Sequence, residues 1–310
     1  MLDVRRLRVL REVATRGSFS AAADALHFTQ SAISQQIAAL EREAGATLVD
    51  RSARGVRLTE AGEVLVRHTD VILARLADAE AELEAISDLR GGRLRLAAFP
   101  SAGASIAPAA IGCFRERHPS VELSMCPAEP AEGEEKLRAG EVDIALGIQA
   151  PWEGDPGDGF DRLHILDDAM FVCLPRDHRH AKKPRLRLED LADESWLLGS
   201  GTACPDGMIF LRACEKAGFE PSIGFHSDDY PAIQGFVAAG MGVSFIPSLA
   251  LTSVREDVII RALTPKAPVR RIVAVTLTGG YRSAAMAAML EILVESAARW
   301  ESDQPELVAV

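Results

Sequence analysis

Cysteine is scarce and scattered in this 310-residue chain: five residues, at 113, 126, 173, 204 and 214, with no Cys-x-x-Cys spacing. That pattern indicates neither a zinc site nor a disulfide framework. No apolar run approaches the ~20 residues that span a bilayer. The opening segment, MLDVRRLRVLREVATRG, interleaves charge with apolar residues and builds no signal-peptide core. A cytoplasmic protein without a membrane partner is therefore expected. No Walker loop, GxSxG or HExxH occurs. His178 and His180 lie among charged residues, as in a solvated loop, and do not read as a ligand pair. The sequence thus predicts no catalytic residue, no cofactor and no metal. Internal repeats and low-complexity segments are absent too.

What is present describes a globular chain. Hydrophobic residues make up 48% and charged residues 25%, and the length implies two or three domains. The net charge of −11 is unevenly spread. Residues 1–60 hold nine Arg against seven Asp and Glu, which is +2 and leaves −13 for the rest. An acidic body with a basic tip points the tip at nucleic acid.

Residues 28–41, FTQSAISQQIAALE, organise that tip. Ile33, Ile37 and Leu40 form one apolar stripe at helical spacing. The opposite face carries Gln30, Ser31, Ser34, Gln35 and Ala38, with Thr29 at the N-cap position. A face of amides and hydroxyls without charge suits the major groove, where a Gln amide pairs bidentately with adenine. Ser18 caps a preceding helix rich in alanine, and His27-Phe28 makes the turn, so residues 19–38 read as a helix-turn-helix. An ordinary helical hairpin is the competing interpretation. Gly45 then ends the helix. Residues 49–58 read as a two-stranded wing with Arg51 and Arg54 at its tip, aimed at phosphates or the minor groove.

The run SFSAAADALHFTQSAISQQIAALEREAGATLVDRSARGVRLTEAG resembles the N-terminal domain of LysR-type transcriptional regulators, without a gap over about sixty residues. Many members carry Pro where Ser31 stands and Arg where Gln35 stands, so base preference is not transferred from them. The resemblance implies double-stranded DNA as partner, contacted by Thr29, Gln30, Ser31, Ser34, Gln35, Arg51 and Arg54.

A proline-free helix is predicted over 60–90. Leu65, Ile72, Ala79 and Ile86 recur every seven residues, with Leu76 and Leu83 between them, as in a coiled-coil seam that pairs two chains. A helix packed within its own domain is the alternative. Gly91-Gly92 breaks it. The expected domains are a winged helix-turn-helix at 1–59, a linker helix at 60–90 and an effector domain at 91–310.

From Arg93 strands alternate with helices, which implies α/β architecture with parallel sheets. LEDLADESWL, EKAGFEP and VAAGMGVSFIPSLAL stand where the effector-domain motifs of LysR-type regulators stand. The resemblance implies a two-lobed, periplasmic-binding-protein-like domain. Lobe I would comprise 91–164 and 268–302, and lobe II 165–267.

Ligands of open α/β sheets sit at strand carboxyl ends, near helix N-termini. Pro100-Ser101-Ala102-Gly103 and Ser200-Gly201-Thr202-Ala203-Cys204 meet that description, and Gly147-Ile148-Gln149 ends a third strand. The resemblance puts Ser101, Gln149 and Thr202 in an effector pocket; Ala102 and Gly201 in the same two turns, and Phe225 and Asp228 after a second-lobe strand, are further candidates. A small anionic effector is expected. The resemblance also implies a homodimer on an interrupted palindrome, paired into a tetramer. Cys204 and Cys214 raise the alternative of a thiol-based redox sensor, but ten residues of helix separate them by ~15 Å. A solute-binding or enzymatic two-lobe protein is the remaining alternative, and the helix-turn-helix opposes it.

Overall fold

A computed structural model describes residues 1–52, 55–86, 92–152, 154, 157, 159–199 and 204–303. The chain divides into two compact units, the first comprising 1–89 with 138–141 and the second 90–137 with 142–310.

The first unit is built on local capping. Helix α1 (Val4–Arg16) ends at Gly17, whose φ of +65° is a left-handed conformation that glycine adopts without strain. Helix α2 (Phe19–Leu26) is capped by Ser18, which accepts from the Ala21 amide at 3.1 Å. Helix α3 (Gln30–Ala44) is capped by Thr29, which accepts from the Ala32 amide at 3.2 Å. Leu7, Leu10, Val13, Ile33, Ile37 and Leu40 bury their side chains between these helices. Strands β1 (Val49–Ser52) and β2 (Gly55–Leu58) pair antiparallel as the wing. Glu41 fixes where the wing begins, its Oε1 accepting from the Leu48 and Val49 amides.

Helix α4 (Glu60–Ile86) starts against that wing. Gly62 comes so close that a Cβ there would lie 2.1 Å from the Leu48 carbonyl oxygen. The heptad pattern is corrected in its first half. Leu65 and Ile72 pack against the helix-turn-helix core and are not free to form a seam. They close their own domain because the apolar stripe of α4 packs on α1 and the wing before it continues outward. Further along the same side, Leu76 and Leu83 are 42% and 67% exposed.

The second unit contains two lobes on a shared strand system. In lobe I, β3 (Arg93–Ala98), β4 (Glu122–Pro127) and β5 (Ile144–Gln149) run parallel. Helices α5 (Pro100–Ala104), α6 (Ile106–Arg117) and α7 (Pro130–Arg138) connect them. In lobe II, β8 (Ser195–Leu198), β9 (Ser222–His226) and β10 (Val243–Pro247) are parallel. They alternate with α8 (Pro205–Lys216) and α9 (Tyr230–Ala238).

The expectation of purely parallel sheets is corrected by the strands that cross between lobes. Strand β6 (Phe160–Pro175) is 16 residues long. Its first part pairs antiparallel with β12 (Val269–Leu277) in lobe I, and its last part with β10 and β11 (Val258–Leu263) in lobe II. A chain that enters lobe II on β6 and returns on β12 runs against its neighbours, so mixed sheets follow from the crossing. The short β7 (Arg185–Leu186) pairs with β11. Helix α10 (Ala284–Asp303) buries Met289, Leu290 and Leu293 in the lobe I core. Among the described residues no helix is long and apolar enough to cross a membrane.

Candidate DNA-reading face and effector site

On α3 the buried and open faces separate cleanly. Ile33, Ile37 and Leu40 are wholly buried, whereas Thr29, Gln30, Ser31 and Gln35 are exposed and Ser34 is half-buried. Thr29 and Ser31 share a hydrogen bond at 3.0 Å, and Gln30 Oε1 accepts from Ser20 at 3.4 Å. Gln36, one residue beyond, accepts from Arg6 and belongs to the packing against α1. Arg51 lies in β1 opposite Val56, and Arg54 lies outside the described residues. Phe28, which the sequence reading used only as turn, is 56% exposed immediately before α3.

The interlobe site centres on a residue that the sequence did not single out. Arg270, on β12, is 1% exposed and the only buried Lys or Arg among the described residues. Its Nε donates to Asp168 at 2.8 Å, Nη1 to Asp206 at 2.7 Å and Nη2 to Ser101 at 2.6 Å. The guanidinium also lies 5.2 Å from the centre of the Phe99 ring. Asp168, on β6, is fully buried and also accepts from Ser248 and the Leu249 amide. Asp206, in the first turn of α8, also accepts from Tyr230 at 3.0 Å. The other oxygen of Asp206 is buried without a partner among the described residues.

Charge burial governs the chemistry here. Desolvation acts to lower the Arg270 pKa, but Asp206 and Asp168 outweigh it, so the pKa is raised and the guanidinium stays cationic. Desolvation pushes Asp168 up against the pull of Arg270 and Ser248. Glu129 is also raised, first by burial and then by the charges of Asp206 and Asp228. The Tyr230 phenol rises well above 10, by burial and then by the charge of Asp206.

The predicted pocket residues meet different fates. Ser101 is 4% exposed and already engaged by Arg270. Ala102 packs wholly inside the lobe I core, so it cannot present its side chain to a ligand. Phe225 packs edge-on against Phe236, at 4.6 Å between ring centres, as part of the lobe II core. Gln149 is half-buried and donates to the Gly154 carbonyl at 3.1 Å. Asp228 is exposed. Gly201 and Thr202 lie outside the described residues. Of the two helix starts expected to attract an anion, α5 has no side-chain cap, whereas α8 has an internal partner. At α8 the Cys204 sulfur accepts from the Gly207 amide at 3.3 Å, with Asp206 beside it.

The cysteines give no support to the redox alternative. Cys204 and Cys214 stand at opposite ends of α8. Burial raises both thiols, Cys214 to about 12, which disfavours the reactive thiolate.

Two stretches match known families. Residues 4–63 match the bacterial regulatory helix-turn-helix protein, lysR family, and residues 87–298 match the LysR substrate binding domain. The chain is a LysR-type transcriptional regulator. It is 31% identical to the HTH-type transcriptional regulator AlsR of Bacillus subtilis, over 84% of this chain and 86% of that one. Its identity to a probable RuBisCO transcriptional regulator of Cyanophora paradoxa is 35%, over 82% of this chain and 79% of that one. Among solved structures it is similar to a full-length OxyR of Pseudomonas aeruginosa, with TM-score 0.72, 24% identity and coverage of 96% and 95%. It is also similar to CbnR, a LysR family transcriptional regulator, with TM-score 0.69, 21% identity and coverage of 96% and 99%. The regulator therefore pairs a DNA-binding helix-turn-helix with an effector-binding domain and belongs to a class of regulators, not of enzymes.

Proposed function

We propose that this regulator binds an interrupted palindromic operator as a dimer, two dimers pairing into a tetramer, and that a small anionic effector between its lobes modulates the binding. The observation that carries the reading is the uncharged, open face of α3 directly opposite a wholly buried stripe. Gln30, Ser34 and Gln35 read base edges, with Thr29 and Ser31 at the helix start. Phe28 is placed for apolar contact with a thymine methyl. Arg51 and Arg54 in the wing contact phosphates or the minor groove, so replacing either weakens binding to all sequences and flattens its salt dependence. The exposed second half of α4, with Leu76 and Leu83, supplies the pairing surface.

In the effector domain, an incoming carboxylate would exchange with Asp206 at Arg270 Nη1. Asp206 is suited to leave, since one of its oxygens has no partner among the described residues. Ser101 and Tyr230 border that position. Gln149, Thr202 and Asp228 complete the proposed lining, and Gly201 contributes backbone. Because Arg270 joins Ser101 of lobe I to Asp206 of lobe II, the exchange alters how the lobes are tied.

Footprinting on the upstream intergenic DNA tests the function. Two protected half-sites about 10 base pairs, or a multiple of that, apart from centre to centre support it. A single uninterrupted patch, or no protection at any salt concentration, refutes it.

A further inference from the structure

A second cavity, of about 560 Å³, lies away from the interlobe site between α8, residues 187–189 and the crossing from β11 to β12. Its size falls within the range of small-molecule pockets. Its floor is apolar: Ile209 and Ala213 from α8, Leu263 and Ala267 from the crossing. Its rim is basic. Arg212 is held over the Trp152 ring at 4.2 Å, and Lys216 and Lys266 flank the opening. The single acidic residue in the lining, Glu189, is bonded to Arg187. Among the described residues neither Lys216 nor Lys266 has a carboxylate partner. In a chain of net charge −11, an apolar floor flanked by two lysines without carboxylate partners among the described residues calls for an occupant.

We infer that this cavity is a second ligand site, selective for an organic anion that joins a flat apolar body to one carboxylate. The apolar part would lie on Ile209 and Leu263 beside the Trp152 ring, and the carboxylate would face Lys216 and Lys266. The site is distinct from the effector position at Arg270. It shares α8 with Asp206 and touches the segment that leads into Arg270, so its occupant would bear on the same interlobe tie.

Calorimetric titration of the full-length protein with 2-naphthoate tests the inference. One saturable site per chain is expected. Lys216→Glu combined with Lys266→Glu should weaken it by about tenfold or more, since two favourable charge contacts become repulsive. Both lysines are exposed, so this variant leaves the core intact. The neutral 2-naphthalenemethanol should bind wild type severalfold more weakly than the carboxylate. Methyl NMR shifts on binding should fall on Ile209, Leu263 and Val269. Absence of saturable binding, an affinity unchanged in the double variant, or a loss caused by Gln149→Ala instead would each overturn the assignment.

Discussion

Replacing Arg270 with Met tests whether the interlobe tie has the energetic weight its geometry implies. Met keeps the length and apolar bulk of the side chain but removes the charge. Asp168 is then left fully buried, with only the Ser248 hydroxyl and the Leu249 amide to support its carboxylate. Asp206 and Ser101 lose their guanidinium partner as well. Removing one member of a buried ion pair costs about 3–5 kcal/mol, because the remaining charge is uncompensated. For a unit of roughly 200 residues that lowers the melting temperature by roughly 6–20 °C. Calorimetry or urea unfolding followed by circular dichroism reads the change. Adding Asp168→Asn to Arg270→Met removes the stranded charge and should recover at least half of the loss. A single-variant loss below about 1 kcal/mol, or a double variant no more stable than the single, refutes the reasoning.

Gly62→Ala should destabilise the winged domain by about 1–3 kcal/mol, since its Cβ would meet the Leu48 carbonyl at 2.1 Å; an unchanged urea midpoint contradicts the packing. Leu76→Asp with Leu83→Asp, on the exposed part of α4, should yield monomers in sedimentation while leaving the fold intact, and an unaltered dimer removes α4 from the interface. Glu129 binds its proton more tightly when folded, so its contribution to stability is lost as pH rises above the ordinary 4.5 through the raised value. Glu129→Gln should abolish that decline, and a wild-type-to-variant difference constant with pH between 4 and 8 contradicts it.

The parts legible in the sequence are those fixed by neighbours in the chain. Ser18, Thr29 and Gly45 mark helix ends through single hydrogen bonds or one backbone angle, and the 33–37–40 stripe follows from helical period. Element order in the effector domain was legible for the same reason. In strand β6 only 169–174 is an unbroken apolar run, because Asp161, Arg162, Asp167 and Asp168 interrupt the rest. Strand β11 follows the charged stretch at 255–257, which hides its start in the sequence. The hub of the site depends on distant partners: Ser101, Asp168 and Asp206 lie 169, 102 and 64 residues from Arg270. Nothing local distinguishes Arg270 from the half-buried Arg271, because both faces of β12 are buried: Arg270 alternates with Ile272 and Ala274, and Arg271 with Val273 and Val275.

If α3 reads sequence with uncharged side chains, Gln30→Ala changes specificity and leaves general affinity for DNA intact. Binding of wild type and variant to the operator, to operators changed at each position and to random DNA is measured by fluorescence anisotropy at fixed salt. A loss of about 1–3 kcal/mol on the operator is expected, with relaxed preference at one base-pair position and unchanged binding to random DNA. An equal loss on specific and random DNA would contradict it.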